Sequence, residues 1–277
     1  MIEKVNPSHP DKVADRIAGA LVDLAYKKSD SPKIAVEVLV GHGACHIIAE
    51  TSELLDDTDV TDAAHRIIGE DCAIDFVQVP QDAELAKNQA GTPKCGDNGI
   101  FKGVPANSEE ESLSTLARSL YREFPTDGKF ILDSESKMKL IICQSNATTA
   151  QITEKLGDWA GELIINPIGD WTGGTNVDTG ATNRKLGSDM GRAVTGGGLH
   201  GKDLTKADVA VNILCHILAQ DLGVDVVACC AIGDEEVLFR PKGRPRQSMP
   251  YSRVLDIAKG YITQLGGFEK LAEWGLV

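Results

Sequence analysis

The chain has no CxxC pair, no low-complexity tract, no apolar run near the ~20 residues of a membrane span, and few cations. Its 28 Lys and Arg face 41 Asp and Glu, for a net charge of -13. That balance argues against general binding to nucleic acid or an anionic membrane, which needs a basic face. An acidic chain that holds a polyphosphate must gather its few cations locally or use metals. Seven cysteines, an odd number, include Cys229 and Cys230 side by side in an apolar run. Buried reduced thiols fit this better than disulfides or zinc. Met1-Ile2-Glu3-Lys4 offers neither a basic n-region nor an apolar h-region, so a cytoplasmic location is expected.

Hydrophobic residues make up 42% of the 277 positions and charged residues 25%, enough for two or three packed units of a globular protein. Pro10 suits a first helical position, and Val13, Ile17, Leu21 and Leu24 form one stripe, predicting a helix over 10–28. Ile34, Val36, Val38 and Val40 alternate with polar positions and predict a half-buried strand; a Gly41-His42-Gly43 turn leads to a second strand through Ile47 and Ile48. Residues 61–68 then read as helix. The order recurs as helix 109–123, strands 129–133 and 138–143, and helix 149–156. It recurs again as helix 206–221, strands 224–232 and 235–240, and a helix near 251–265. The fold class expected is α+β: three similar α/β units with antiparallel sheets and helices on one face, divided as 1–92, 93–169 and 170–277.

Chemistry concentrates in the connections, which are rich in Gly, Asp, Lys and Arg. Ser8-His9-Pro10-Asp11-Lys12 opens the first helix. Its free N–H groups suit phosphate, Asp11 suits Mg²⁺, and His9 and Lys12 suit phosphate oxygens. Taken alone, the segment reads better as an ordinary capped helix start. Asp178 to Lys185 (DTGATNRK) joins a close-approach turn to two adjacent cations, though a solvated loop reads the same way. Gly196 to Asp203, followed by Lys206 and Asp208, nearly has P-loop spacing. However, Asp203 stands where Ser or Thr would ligate Mg²⁺ and no apolar strand precedes it, so a Walker motif is rejected while a phosphate and metal site is retained. Lys94 to Gly99 reads alone as a reverse turn. Glu37 and Glu50, carboxylates in apolar strands, read alone as wet-face residues.

Taken together and in order, these pieces resemble the methionine adenosyltransferase (S-adenosylmethionine synthetase) family. His9 to Lys12 matches its HPDK opening, and Glu37 and Glu50 match its strand-pair carboxylates. Lys94 to Gly99 is similar to its GAGDQG motif, with Asn98 for Gln. Asn166 to Lys185 is similar to its glycine-rich stretch ending in GRK. Gly196 to Asp208 is similar to GGGxFSGKDPxKxD, with His200 for Ser and Leu204 for Pro. The resemblance runs from about Glu3 to the C-terminal helix and implies that family's three-unit fold. It implies adenosyl transfer from ATP to L-methionine with two Mg²⁺ ions and K⁺, in a homodimer with shared active sites that can pair into a tetramer.

The resemblance also implies roles by position. His9 would contact the triphosphate and assist its departure. Arg184, Lys185, Lys202, Lys206 and Lys137 would grip it, with Lys139 close enough to compete with Lys137 for that place. Asp11 and Asp208 would bind Mg²⁺, and Glu37 would sit at a potassium site. Glu50, Gln89 and Asp97 would hold methionine, while Glu3, Asp178 and Trp171 would border adenosine and Lys12 would meet phosphate. The chain departs from the family in length: the stretch between Gln89 and Asp97, where relatives carry a mobile cover loop, is very short, and 137–166 is compressed. A triphosphatase that lost methionine, or a non-catalytic regulatory paralogue, are the rival readings. Retention of Glu50 and Asp97 counts against the first, and retention of the phosphate and metal residues against the second.

Overall fold

The computed structural model describes residues 1–88, 91–135 and 138–277. The first unit runs β1 (Ile2–Val5), α1 (Pro10–Lys28), the hairpin β2 (Ile34–Gly41) and β3 (Ala44–Thr51), α2 (Asp57–Ile68), β4 (Ala73–Pro80) and the short α3 (Ala83–Asn88). The second runs β5 (Gly99–Gly103), α4 (Ser108–Glu123), β6 (Gly128–Asp133), β7 (Lys139–Gln144), α5 (Thr149–Leu156) and β8 (Leu163–Ile165). The third runs β9 (Thr179–Ala181), α6 (Leu186–Met190), α7 (Ala207–Leu222), β10 (Val226–Cys230), β11 (Glu236–Pro241), β12 (Gln247–Pro250), α8 (Tyr251–Leu265) and α9 (Phe268–Trp274). This is an α+β fold of three helix–hairpin–helix units with sheets rich in antiparallel pairs.

The leading strand of each unit leaves it. β1 pairs with β6 of the second unit, β5 with β10 of the third, and β9 with β2 of the first, always antiparallel to the first hairpin strand. The sheets are therefore ordered β4-β3-β2-β9, β1-β6-β7-β8 and β12-β11-β10-β5. In the first two, the strand after the second helix returns parallel to the hairpin, β4 beside β3 and β8 beside β7. This cyclic exchange gives the first hairpin strand of each sheet a partner from another unit, the exchanged strand becoming the sheet edge, and binds the three units into one body.

Local chemistry accounts for the elements. α1 begins at Pro10, with the His9 ring nitrogen Nδ1 accepting the Asp11 N–H at 3.2 Å, and ends with Lys27 and Lys28 at the negative pole of the helix. α4 and α5 open with capping boxes, Asn107 with Glu110 and Thr148 with Gln151. β2 buries Ile34, Val36, Val38 and Val40 and leaves Glu37 and Leu39 exposed, as its period of two requires. One large core joins α1, α7 and α8 to the first and third sheets, with Ile17, Leu21, Ile47, Ile213, Phe101 and Tyr251 among its buried members. A second, smaller core lies under α4 and α5 around Leu120, Phe130 and Ile142. Each such side chain contributes about 1.5–3 kcal/mol by leaving water. No helix among the described residues is long and apolar enough to cross a membrane.

Candidate active site

Two loops and one helix start meet along the edge of β2 opposite β3. β9 occupies the end of that edge through the pairs Leu39↔Ala181 and Val40↔Gly180, and Thr182 N–H continues it by donating to the Val38 carbonyl at 3.1 Å. Further along, Val36 N–H donates to the Gly201 carbonyl at 2.7 Å, and Lys202 bridges opposite Ala35. The DTGATNRK and GGGLHGK segments thus dock side by side. Asn183 fastens them, its amide donating to the His200 carbonyl at 3.1 Å and its oxygen accepting the His200 N–H at 2.9 Å.

Gly180 brings β9 against the start of α1. A Cβ there would lie 2.1 Å from the Pro10 carbonyl carbon and 2.4 Å from the Asp11 nitrogen, so only glycine fits. The approach lets Ala181 N–H donate to Asp11 Oδ1 at 2.9 Å, while Lys185 Nζ sits 2.7 Å from Asp11 Oδ2 and Arg184 3.7 Å from Oδ1. Burial pushes the Asp11 carboxyl up, but the hydrogen bonds from Lys185 and Ala181 and the Lys185 charge outweigh it and hold the group below its ordinary value. Gly180→Ala is expected to push β9 off the helix start and separate Asp11 from Lys185. It should cost activity more than the removal of a solvent-facing group outside the site such as Asp62, which steady-state assays of the two variants would compare.

Glu37 stands between the loops on the exposed sheet face, and the Thr182 hydroxyl donates to its carboxylate. Glu50 lies on the same face, its strand position paired with Ala35. Lys202 Nζ meets Asp208 Oδ2 at 2.6 Å. Gly197, at φ +89°, gives Asp208 its space, since a Cβ there would lie 2.1 Å from Asp208 Oδ1. Lys206 occupies the position before the first residue of α7, without a side-chain capping bond. The Asp97 turn abuts that start, Gly96 N–H donating to the Thr205 carbonyl at 3.2 Å; Asp97 itself is exposed and accepts the Asn98 N–H at 2.7 Å.

On the other flank, Glu3 pairs with Lys129 at 3.3 Å, and Lys129 and Asp178 both act on the His9 ring. Burial, then the Lys185 charge, lowers His9 to about 4. Trp171, half-buried, donates its indole N–H to Asn166 Oδ1 at 3.3 Å. The 170–178 loop reaches the site through Gly174 N–H, which donates to Asp127 Oδ2 at 3.2 Å. Burial first, then the neighbouring charges of Asp178 and Asp11, raises the Asp127 carboxyl to about 6. Gln89 and Lys137 lie outside the described residues. Lys139, the competing position, pairs with Glu162 at 3.2 Å.

Lys12, expected at phosphate oxygens, is fully buried, with Nζ at 2.5 Å from Asp189 Oδ1, 3.2 Å from Asp15 Oδ2 and 3.3 Å from His200 Nε2. Asp15, Asp189 and His200 have donor atoms within 4.8 Å of one another, the geometry of a metal cluster, but the Lys12 ammonium already serves them. Asp15 also accepts the Asn183 N–H at 2.7 Å, so this buried network anchors the DTGATNRK loop from beneath. Sequence reasoning passed over Asp15, Asp189, Asp127 and Lys129. The only available signal was Asp15, one turn after Asp11 on the same helix face.

The charge states imply an acid-sensitive fold. His9 and His216 are each lowered by burial to about 4, so between that value and their ordinary 6.5 the unfolded chain binds protons that the folded one refuses. Stability should therefore fall as pH drops from 6.5. It should fall more steeply below about 4, where Asp11, Glu110 and Glu269, held below their ordinary values by lysine and arginine partners against the effect of burial, take up protons. The carboxyls of Asp127, Asp15 and Asp23, raised by burial, bind protons more readily in the fold and offset part of this loss, so melting curves at pH 7.5, 5.5 and 4 should show a net decline.

Known proteins resemble the chain in sequence and in fold. Residues 1–80 match the family model described as S-adenosylmethionine synthetase, N-terminal domain. The S-adenosylmethionine synthase of Rhodopseudomonas palustris (strain BisB5) is 28% identical over 291 aligned positions, covering 79% of this chain and 73% of that protein. That of Mycoplasma capricolum subsp. capricolum is 26% identical over 280, covering 79% and 72%. An unusual S-adenosylmethionine synthetase from Campylobacter jejuni superposes with a TM-score of 0.77 at 18% identity, covering 100% of this chain and 93% of that one, a likeness of fold. Motif order, matched N-terminal domain and shared fold coincide: the chain resembles the S-adenosylmethionine synthetase family and fits a short, divergent relative of it.

Proposed function

We propose that the chain is an S-adenosylmethionine synthase, joining the adenosyl group of ATP to the sulfur of L-methionine and releasing pyrophosphate and phosphate. The observation that carries this reading is a pair of cation–carboxylate contacts, Lys185–Asp11 and Lys202–Asp208, on loops docked along one strand edge of an acidic protein. Each contact is self-satisfied without ligand. A Mg²⁺–polyphosphate can replace both partners at once, phosphate taking the lysines and metal the carboxylates.

The methionine sulfur is already nucleophilic. It forms a bond to the ribose C5′ as the C5′–O5′ bond breaks, and the electron pair leaves with the triphosphate. The protein's task is alignment and stabilisation of that growing charge. In this reading Lys185, Lys202, Lys206 and Arg184 hold the triphosphate. His9, uncharged at neutral pH, donates from its Nε2–H because Nδ1 already accepts the Asp11 N–H. Glu50 and Asp97 take the methionine side, with Gln89, and Glu3, Asp178 and Trp171 take the adenosine side. Lys137 joins the triphosphate set. Lys12 acts from below, positioning Asp189, Asp15 and the loop they anchor.

Magnesium fits the donors present. Asp11 and Asp208 are hard carboxylates, each with a displaceable lysine, and Mg²⁺ ordinarily takes one or two carboxylates plus substrate phosphates. Two such ions would supply charge neutralisation at the leaving group. Glu37, exposed and oxygen-donating beside Thr182, suits K⁺.

A homodimer is supported by the outer face of the first sheet, where Leu39, Ile48, Val77 and Val79 are exposed beside Glu37 and Glu50. Pairing through it would place both carboxylates at the subunit boundary. A cytoplasmic setting suits seven cysteines without a disulfide.

Incubation with ATP, L-methionine, Mg²⁺ and K⁺, with mass detection, should give S-adenosylmethionine and consume ATP only when methionine is present. ATP consumption without methionine would make the chain a triphosphatase. No consumption by the purified chain would make it a non-catalytic relative.

A further inference from the structure

Cys95 and Cys230 are 135 residues apart in sequence, yet their sulfurs lie 2.6 Å apart. Cys95 opens the turn that carries Asp97, and Cys230 ends β10. Backbone hydrogen bonds hold the two segments together on both sides of the thiols. Cys95 N–H donates to the Asp234 carbonyl at 2.8 Å, and Gly233 N–H donates to the Cys95 carbonyl at 2.8 Å. The main chain thus keeps the two cysteines side by side. A disulfide bond, about 2.05 Å long, needs only a further half-ångström approach of the two sulfurs.

Both side chains are buried, but Cys95 also lines a cavity of about 400 Å³ bounded by Ser31, Lys33, Lys94, Ile232 and Leu255. A small reagent therefore has a route to one sulfur of the pair. The two thiols differ. The hydrogen bond shared with Cys230 holds Cys95 below the ordinary thiol value, against its burial. The same bond and burial push Cys230 up. The attacking thiolate is thus the one facing the cavity, and the resolving thiol is the one behind it.

We propose that Cys95 and Cys230 form a reversible dithiol–disulfide site, closed by a low-molecular-weight disulfide admitted through this cavity. The Cys95 thiolate attacks one sulfur of the reagent. A mixed disulfide forms, and the reagent's other half leaves as a thiolate. Cys230, losing its proton, then attacks the Cys95 sulfur and expels the second half. One disulfide is reduced to two thiols as the protein's two thiols are oxidised to one disulfide. Closure ties the 94–99 turn, and Asp97 within it, to the end of β10. The site is independent of the adenosyl-transfer reading.

The test uses the whole folded protein and oxidised glutathione. After exposure, the protein is unfolded, alkylated and mapped by peptide mass. The expected result is one cross-linked peptide pair joining Cys95 to Cys230, both protected from alkylation, and restored by dithiothreitol. Cys230→Ser should trap glutathione on Cys95, whereas Cys95→Ser should leave Cys230 largely unmodified. Half-buried Cys143 and Cys229 serve as internal controls, forming at most simple adducts. The proposal is overturned if Cys95 and Cys230 both remain alkylatable, or if Cys230→Ser carries glutathione on Cys143 or Cys229 but not on Cys95.

Discussion

Asp11→Asn should, under the proposed function, lower adenosyl transfer by about 10²–10³-fold, the usual effect of removing one group that stabilises transition-state charge. The change is nearly isosteric. Asn can still accept the Ala181 N–H, so the helix start and β9 should stay together. What disappears is the negative charge that Lys185 meets at 2.7 Å and that a metal would need. Lys202→Ala should have an effect of similar size from the other loop, because Asp208 loses its cation and the polyphosphate loses a contact. Mass-detected S-adenosylmethionine formation, with circular dichroism to confirm folding, measures both. Near-normal turnover in either folded variant would remove that residue from the site.

Lys12→Ala should instead act on stability. Its ammonium neutralises Asp15 and Asp189 where neither reaches water. Removing one partner from such a network typically costs about 3–5 kcal/mol, since the remaining charges stay buried and unpaired. For a chain of this size that corresponds to a melting temperature lower by roughly 6–20 °C. The Lys12→Ala/Asp189→Asn double variant should recover part of the loss, because the uncompensated charge goes with it. Thermal melts of the three proteins decide. A Lys12→Ala protein that melts like the parent but binds polyphosphate poorly would return Lys12 to the ligand.

The hairpins and long helices were legible because one face of each is buried. Ile34 to Val40 alternate, and Val13, Ile17 and Leu21 recur at helical spacing, each pattern spanning several periods. The exchanged strands were not. β1, β5 and β9 are three to five residues long and exist only because a distant sheet receives them, so no local period announces them. β4 was missed for a related reason. Its outward positions, Val77 and Val79, are apolar and exposed, which blurs the alternation.

At the candidate site, Gly, Asp, Lys and Arg in the connections marked loops that the fold docks side by side, because close backbone approach and charge both leave a compositional trace. The partners beneath them left none. Asp189 meets Lys12 across 177 residues, and Asp127 meets Gly174 across 47. His200, a departure from the family pattern, carries no local sign of its partner, yet its ring lies 3.0 Å from Asp189.

The proposed function requires that the two loops form one cradle. The most direct measurement is calorimetric binding of inorganic tripolyphosphate to the folded protein, with and without Mg²⁺, for the parent, Asp11→Asn and Lys202→Ala. Binding that requires Mg²⁺ and is lost in both variants is the predicted result. Binding that survives intact in either variant would mean that the Asp11 and Lys202 loops do not share a ligand.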